Sequence, residues 1–327
     1  MKNVTILVPE MSVLQTIADS QNCFYRVNRF LSISGRIPFF NVKLAGIQKV
    51  IKLNKGYYSV HPNKLISEIK RTDLVIIPAL AGDISKAISA NNKLIPWIVQ
   101  QYKNGSEIAS LCMGAFLLAA TGLLNGKKCS THWGFTNRLQ MMFPEVNVQN
   151  GSIITEENGI YTSGGANSYW NLLLHLIEKY TDRETAVYIS KYFAIDINRN
   201  SQSVFTIFNG QKEHNDTAVR KAQEYIEKKI DEKITVEDLA SKVALHRRSL
   251  ERRFRLATGN SILEYIQRVK MEAAKRNLET TGKQINEVMF DVGYTDTKAF
   301  RSTFRKITGL TPFEYRKRYN TDFKKII

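Results

Sequence analysis

Three cysteines in 327 residues, none in a CxxC spacing, leave nothing from which to build a disulfide framework or a zinc knuckle, and an odd set fits a reducing compartment. Histidine is equally scarce. Apart from His132, the residues His61, His175, His214 and His246 are scattered without HxxxH or HxxE spacing, so neither a metal site nor a cofactor is expected. No cationic start leads into an apolar stretch and a small-residue cleavage site, which argues against secretion and for a cytoplasmic protein. The most apolar run, residues 111–124, is too short for a bilayer and reads as buried core, so no membrane partner is expected. Gly164-Gly165 lacks the GxGxxG or Walker context and reads as a tight turn in preference to a phosphate cradle.

What is present is an ordinary globular composition, 43% apolar and 24% charged, long enough for two domains. The net charge is +17, which favours a polyanionic partner. It divides into +8 over residues 1–209 and +9 over the shorter stretch 210–327, so charge density rises towards the end of the chain. Charge alone does not single out DNA.

A repeat does. TVEDLASKVALHRRSLERRFRLATG at 235–259 has an echo, INEVMFDVGYTDTKAFRSTFRKITG, at 285–309. Each gives a short apolar-periodic helix, a turn, and a second helix with a buried hydrophobic residue followed four later by Phe: Leu250 and Phe254, then Phe300 and Phe304. Arg247, Arg248, Arg252, Arg253 and Arg255 leave the outer face of the first copy densely cationic, which suits phosphate and guanine. Arg248, Glu251 and Arg252 point the same way, with Arg252 spaced for bidentate contact to a guanine, and Thr297, Lys298, Arg301 and Ser302 form the exposed set of the second copy. Arg305, Lys306 and the run Arg316, Lys317, Arg318 are expected on phosphates. The joining segment, 261–282, has helical apolar spacing without internal Gly or Pro and reads as one strut. It could place two recognition helices in successive major grooves, roughly 34 Å apart.

Residues 217–319 resemble the DNA-binding domain of the AraC/XylS family of bacterial transcription regulators, the motifs GY, F..TF and TGLTPFEYR carrying the likeness. Three positions depart from it. Ala244 stands where the family has a turn glycine, a cost of about 1 kcal/mol if positive φ is required. His246 replaces a Ser N-cap, and Met289 takes a position that is normally small.

Residues 1–200 alternate strand-like and helix-like segments: strands at 4–8, 41–47, 73–78 and 106–112, helices at 14–31, 84–102 and 169–180, and a β segment around two Asn-Gly turns at 146–165. The pattern predicts an α/β doubly wound, mostly parallel sheet, followed by an all-α double helix-turn-helix domain. The expected divisions are a sensor at 1–200, a polar linker at 201–216 and a DNA-binding domain at 217–327.

Cys112 ends a buried strand and is followed at once by a helix, which projects its sulfur over the sheet edge with a helix N-terminus to favour thiolate or a bound anion. Around it, LCMGAFLLAATGLLNGKKCSTHW and IYTSGGANSYWNLLLHLIE resemble the ThiJ/PfpI group of the class I glutamine amidotransferase-like superfamily. The likeness implies a small-molecule crevice lined by Cys112, Met113, His132, Trp133, Gln15, Ala79 and Gly164. It also implies that the chain joins such a sensor to an AraC-type reader, with homodimerisation through the sensor, operator DNA, an unknown effector and RNA polymerase as partners. Enzymes of the group pair the cysteine with a His and an acid; here the acid position reads Gln15, Glu10 is out of register, and the usual Gly pair that offers an oxyanion amide reads Ala79-Leu80.

Several readings stay open. Cys112 is a small buried residue, a ligand-contacting or redox-sensing thiol, or a nucleophile. Trp133, Tyr169 and Trp170 either pack the core or offer faces to a cationic metabolite, since regulators of this type respond to quaternary ammonium or amino-acid-derived compounds. For the whole chain, a ligand-controlled regulator without catalysis is expected. A cysteine-dependent amidase or deglycase-like hydrolase and a sequence-independent architectural DNA binder stand as rivals.

Overall fold

A computed structural model describes residues 1–197, 201–212 and 214–320, so the last seven residues of the expected DNA-binding domain, 198–200 of the sensor and 213 of the linker lie outside the described residues. The chain divides into two compact units, Met1–Gln202 and Ser203–Ile327.

The first unit is built on a sheet of seven strands: β1 (Lys2–Leu7), β2 (Phe40–Gly46), β3 (Lys64–Leu65), β4 (Leu74–Ile77), β5 (Glu107–Ser110), β6 (Ile154–Glu157) and β7 (Ile160–Ser163), in the spatial order β6-β7-β5-β4-β1-β2-β3. All pairs are parallel except β6 with β7. The central strands are apolar because both faces are covered. In β4, Leu74 and Ile76 face one core with Val4 and Ile6 of β1, while Val75 and Ile77 face the other with Leu7. The first core is closed by α1 (Leu14–Ile33), α6 (Tyr169–Tyr180) and α7 (Arg183–Tyr192). The second is closed by α2 (Ile84–Ala90), α3 (Leu94–Lys103), α4 (Ala115–Ala119) and α5 (Thr136–Met142). No described helix is long and apolar enough to cross a membrane.

Two expectations are corrected. The single helix at 84–102 is broken at Asn91, whose buried side-chain amide donates to the carbonyls of Glu10 and Ala87 and accepts the Glu10 N–H. That carboxamide ties the loop after β1 to the helix pair, an option that local polar bonding offers in competition with helix propagation. Of the two Asn-Gly turns, Asn158-Gly159 makes the β6–β7 hairpin, with φ of 53° and 75°. Asn150-Gly151 does not join paired strands; the Gly151 carbonyl instead accepts from Gln202 N and Ser201 Oγ.

The second unit is helical: α8 (Thr217–Lys228), α9 (Val236–Lys242), α10 (Arg247–Thr258), α11 (Ile262–Thr280), α12 (Ile285–Asp291), α13 (Thr297–Thr308) and α14 (Pro312–Tyr319). Its two cores share one helix. Ile262, Tyr265, Ile266 and Val269 of α11 pack with α8, α9 and α10 around Leu250 and Phe254. Further along, Met271, Ala274 and Leu278 pack with α12, α13 and α14 around Phe300 and Phe304. Both α10 and α13 end on a left-handed glycine, Gly259 and Gly309, whose N–H groups donate to the Arg255 and Arg305 carbonyls. The strut starts on a capping box, Ser261 with Glu264, and α14 on another, Thr311 with Glu314.

Candidate functional site

In the first unit, Cys112 sits on the corner after β5 with φ of 52°, a left-handed conformation that costs a residue with a Cβ free energy and that marks an elbow. Its N–H donates to Ser163 Oγ at 3.1 Å and its carbonyl accepts Thr131 Oγ1 at 3.0 Å. The corner presses on the end of β4, since a Cβ on Gly114 would lie 2.6 Å from the Pro78 carbonyl oxygen. The side chain is only 7% exposed. Burial pushes the thiol above its usual range, and the Ala166 and Met113 N–H groups offset this only in part. The expected thiolate is therefore not favoured. The physical reason is burial first, and the local backbone offsets it little: Cys112–Gly114 is a 3-10 turn and α4 behind it is short, so little helix dipole reaches the sulfur.

His132 follows Thr131, whose hydroxyl meets Cys112; it is half-buried, and burial lowers its pKa. Gly134 N–H donates to Nδ1 at 3.0 Å, which leaves the proton of the neutral ring on Nε2. The ring lies against Gly165, where a Cβ would fall 2.1 Å from Cδ2, and beside Trp133 and Phe135 at 5.0 and 5.7 Å between centroids. Among the described residues no hydrogen bond joins His132 to the Cys112 thiol. Gly164 continues the same wall, its N–H donating to Ile153 and its Cα face filled by the Gln202 amide.

Cys112, His132 and Gly164 are thus held close together by the Thr131 hydroxyl and the Gly164-Gly165 backbone, Met113 packs against the second core and Trp133 lies beside His132, whereas two of the proposed lining residues stand apart. Gln15 is exposed on the first turn of α1. Ala79 is buried, with its N–H donating to Thr16 Oγ1 at 3.1 Å, so that amide is not free for an oxyanion. The acid near the crevice is Asp19, one helical turn beyond Gln15, which accepts the Tyr169 hydroxyl. Burial first, then the hydrogen bond to Asp19 and the charge of that carboxylate, raises the Tyr169 pKa. Tyr169 and Trp170 are buried core, the latter 4.5 Å from Phe193 between ring centroids. Sequence reading missed Ser163, Asp19 and Gln202. Only Asp19 left a signal, an acid four residues beyond the expected position.

The second unit presents two cationic helix faces. On α10, Arg247 is held between Glu237 and Glu251, and Arg253 is bidentate to Asp216 at 2.7 Å through both nitrogens. Asp216 N-caps α8, so Arg253 anchors the helix to the helix behind it. Arg248, Arg252 and Arg255 are exposed and without an ion-pair partner among the described residues, while Glu251 is half-buried under Arg247. On α13, Thr297, Lys298, Arg301, Ser302, Arg305 and Lys306, with Thr311 at the N-cap of α14, line an open groove of about 760 Å³. Arg301, Arg305, Lys298 and Lys306 have no ion-pair partner among the described residues. The run at 316–318 splits. Arg316 is 5% exposed, with Nε and Nη2 lacking hydrogen-bond partners among the described residues, and α14 turns that side towards α11, away from any phosphate. Arg318 is exposed and lies over the Phe205 and Tyr319 rings.

Ala244 has φ of 53° in the turn of the first copy, matching Gly293 at 68° in the second. His246 begins α10 without a side-chain cap, whereas Asp296 caps α13 by accepting from Lys298 and Ala299 N–H. Met289 is buried in the second core. Among the described residues, no group of three or more His, Cys, Asp or Glu is placed to hold a metal ion.

Comparison with known proteins agrees with this division. Residues 239–318 match a helix-turn-helix domain model and residues 31–179 match the DJ-1/PfpI family model. The HTH-type transcriptional regulator GbdR of Pseudomonas aeruginosa is 29% identical over 247 residues, 75% of this chain and 66% of that protein, just under two thirds of its length. The HTH-type transcriptional regulator CdhR of the same species is 23% identical over 266 residues, 79% of this chain and 76% of the relative. A crystal structure of a Vibrio parahaemolyticus protein shares the fold of the first unit, with a TM-score of 0.52 and 22% identity over 58% of this chain and 98% of that one. The chain thus carries a DJ-1/PfpI-like domain followed by a helix-turn-helix domain, and it is related to several helix-turn-helix regulators.

Proposed function

We propose that this chain is a sequence-specific transcription regulator of the AraC/XylS type, in which a non-catalytic DJ-1/PfpI-like sensor controls a double helix-turn-helix reader of operator DNA. The observation that carries the reading is the pair of helices α10 and α13, each with solvent-facing cations that form no ion pair among the described residues: Arg248, Arg252 and Arg255 on α10, and Lys298, Arg301, Arg305 and Lys306 on α13. An exposed guanidinium on a recognition helix can take a guanine edge bidentately, and the cations towards the helix ends suit phosphates. GbdR and CdhR are both transcriptional regulators by name, which supports the same role here.

The effector belongs in the Cys112–His132 crevice, and it acts by preferring one arrangement of the reader over another. Homodimerisation, contact with RNA polymerase and a cytoplasmic location complete the proposal. Catalysis is left out for three reasons in the geometry: the thiol is buried and its pKa raised, His132 makes no hydrogen bond to it, and the Ala79 amide is committed to Thr16. The strained elbow at Cys112 is the one feature an amidase or deglycase-like hydrolase would share. Selection of the full chain against random-sequence duplexes tests the reading: enrichment of one defined motif is expected, and retention of duplexes without enrichment would mark an architectural binder. In parallel, amide and glyoxal-adduct turnover is expected to match a Cys112→Ala control; turnover lost in that variant would restore the hydrolase.

A further inference from the structure

The stretch expected as a polar linker is tied down along its length. Gln202, the last residue of the first unit, is 1% exposed and fully engaged within that unit. Its Nε2 donates to the carbonyls of Thr131 at 2.9 Å and Ser152 at 3.1 Å, its Oε1 accepts Gly165 N–H at 3.0 Å, and its own N–H donates to Gly151 at 2.9 Å. Thr131 and Gly165 flank His132, and the imidazole occupies the space where a Cβ on Gly165 would stand. A move of the His132 ring towards Gly165 therefore presses on the backbone whose N–H donates to Gln202.

Within the second unit, the residues that follow are fastened just as closely. The turn Ser203–Phe205 packs against α13, and the Phe205 ring lies under Arg318. Lys275 Nζ donates to the Thr206 carbonyl at 2.6 Å and pairs with Glu272 at 2.7 Å, while Phe208 N–H donates to the same carboxylate at 3.1 Å. Lys275 and Glu272 are buried charges on the strut, and each adds to their mutual ion pair one hydrogen bond to the strap backbone. Phe208 packs edge-on against Tyr265 at 5.1 Å between centroids. Gln211 Oε1 then accepts Asn260 Nδ2 at 2.6 Å, and Asn260 follows the glycine that ends α10. In chain order the segment touches the second recognition helix, the strut, and the cap of the first.

We propose that residues 202–212 are a strap through which the state of the Cys112–His132 crevice reaches both recognition helices, with Gln202 as the positioning residue at the sensor end and the Lys275–Glu272 pair as its fastening on the strut. The proposal deepens the regulator reading by naming its coupling element. Coupling through a covalent strap is reciprocal: loosening either end must be felt at the other.

Hydrogen exchange on the full chain tests this without DNA or effector, so its outcome is separate from that of the duplex selection. Gln202→Ala is expected to speed exchange of amides in 131–134 and 164–166, and also in 206–212 and 259–262, by about fivefold or more, the low end of ordinary coupling. Lys275→Met, made in the other unit, is expected to speed exchange in 131–134 and 164–166 by a similar factor. If each variant changes only its own unit, or if only one direction transmits, the strap is not a coupling element. Should Gln202→Ala fail to fold, Gln202→Glu, which keeps the acceptor for Gly165 and removes the two donated bonds, is compared with Lys275→Met on the same amides and decided by the same criterion.

Discussion

Ala244 and Gly293 occupy the same turn in the two helix-turn-helix copies, both at positive φ, yet they are not interchangeable. A Cβ on Gly293 would sit 2.3 Å from the Asp231 carbonyl oxygen, where the chain leading into α9 passes close by, so glycine is required there for space as well as conformation. Ala244 is exposed, so its methyl meets only the conformational penalty. Ala244→Gly is therefore expected to raise stability by about 1 kcal/mol, and Gly293→Ala to lower it by more than that, measured by denaturant unfolding. A second residue-scale consequence concerns His132. Burial lowers its folded pKa, so the unfolded chain binds a proton first as pH falls below the ordinary histidine value of about 6.5. The stability that this neutral ring contributes is full above that value and is lost as pH falls towards the folded pKa. Replacing His132 with Phe should flatten the fall of the unfolding midpoint between about pH 7 and 5; an unchanged slope would remove His132 from the account of acid sensitivity.

At the scale of elements, the arginines of α10 divide between building and reading. Arg253 is bound bidentately to the Asp216 cap of α8, and Arg247 is held by two glutamates, so neither is a free cation. Arg305 and Lys306 of α13 are exposed and form no ion pair among the described residues, and each is expected to take about one unit off the salt slope of DNA binding when changed to Ala. Arg253→Ala should leave that slope unchanged and show instead as a lowered unfolding midpoint; titration across salt concentrations separates the two. The recognition helices were legible in sequence because their buried positions repeat: Leu250 with Phe254 and Phe300 with Phe304 are all buried as their spacing requires. What the spacing did not carry was partner choice. Nothing local says that Arg253 meets an aspartate 37 residues away, or that Arg316 turns inwards while Arg318 stays out. The helix break at Asn91 escaped for the same reason, because its partner is the backbone of Glu10.

For the molecule as a whole, the alternation of buried strands and helices was enough to give a doubly wound sheet followed by a helical unit. The crevice was partly legible: Cys112, His132 and Gly164 converge, while Gln15 points to solvent and Asp19, one turn on, reaches Tyr169. The two lie on one face of α1, a turn apart, so what separates them is height along the helix: Gln15 stands at its exposed start and Asp19 level with Tyr169, a difference no motif carries. The reader itself is two similar cores strung on α11, a helix of 19 residues and so about 28 Å long, which sets the two outward faces a fixed distance apart. Hydroxyl-radical footprinting of the full chain on a selected duplex tests that arrangement most directly. Protection should cover two neighbouring major grooves, roughly 34 Å apart, and Arg252→Ala should weaken discrimination at a single base by about 1–3 kcal/mol while the second groove stays protected. Protection of one groove alone, or a uniform loss in that variant with no base singled out, would contradict two heads reading one duplex.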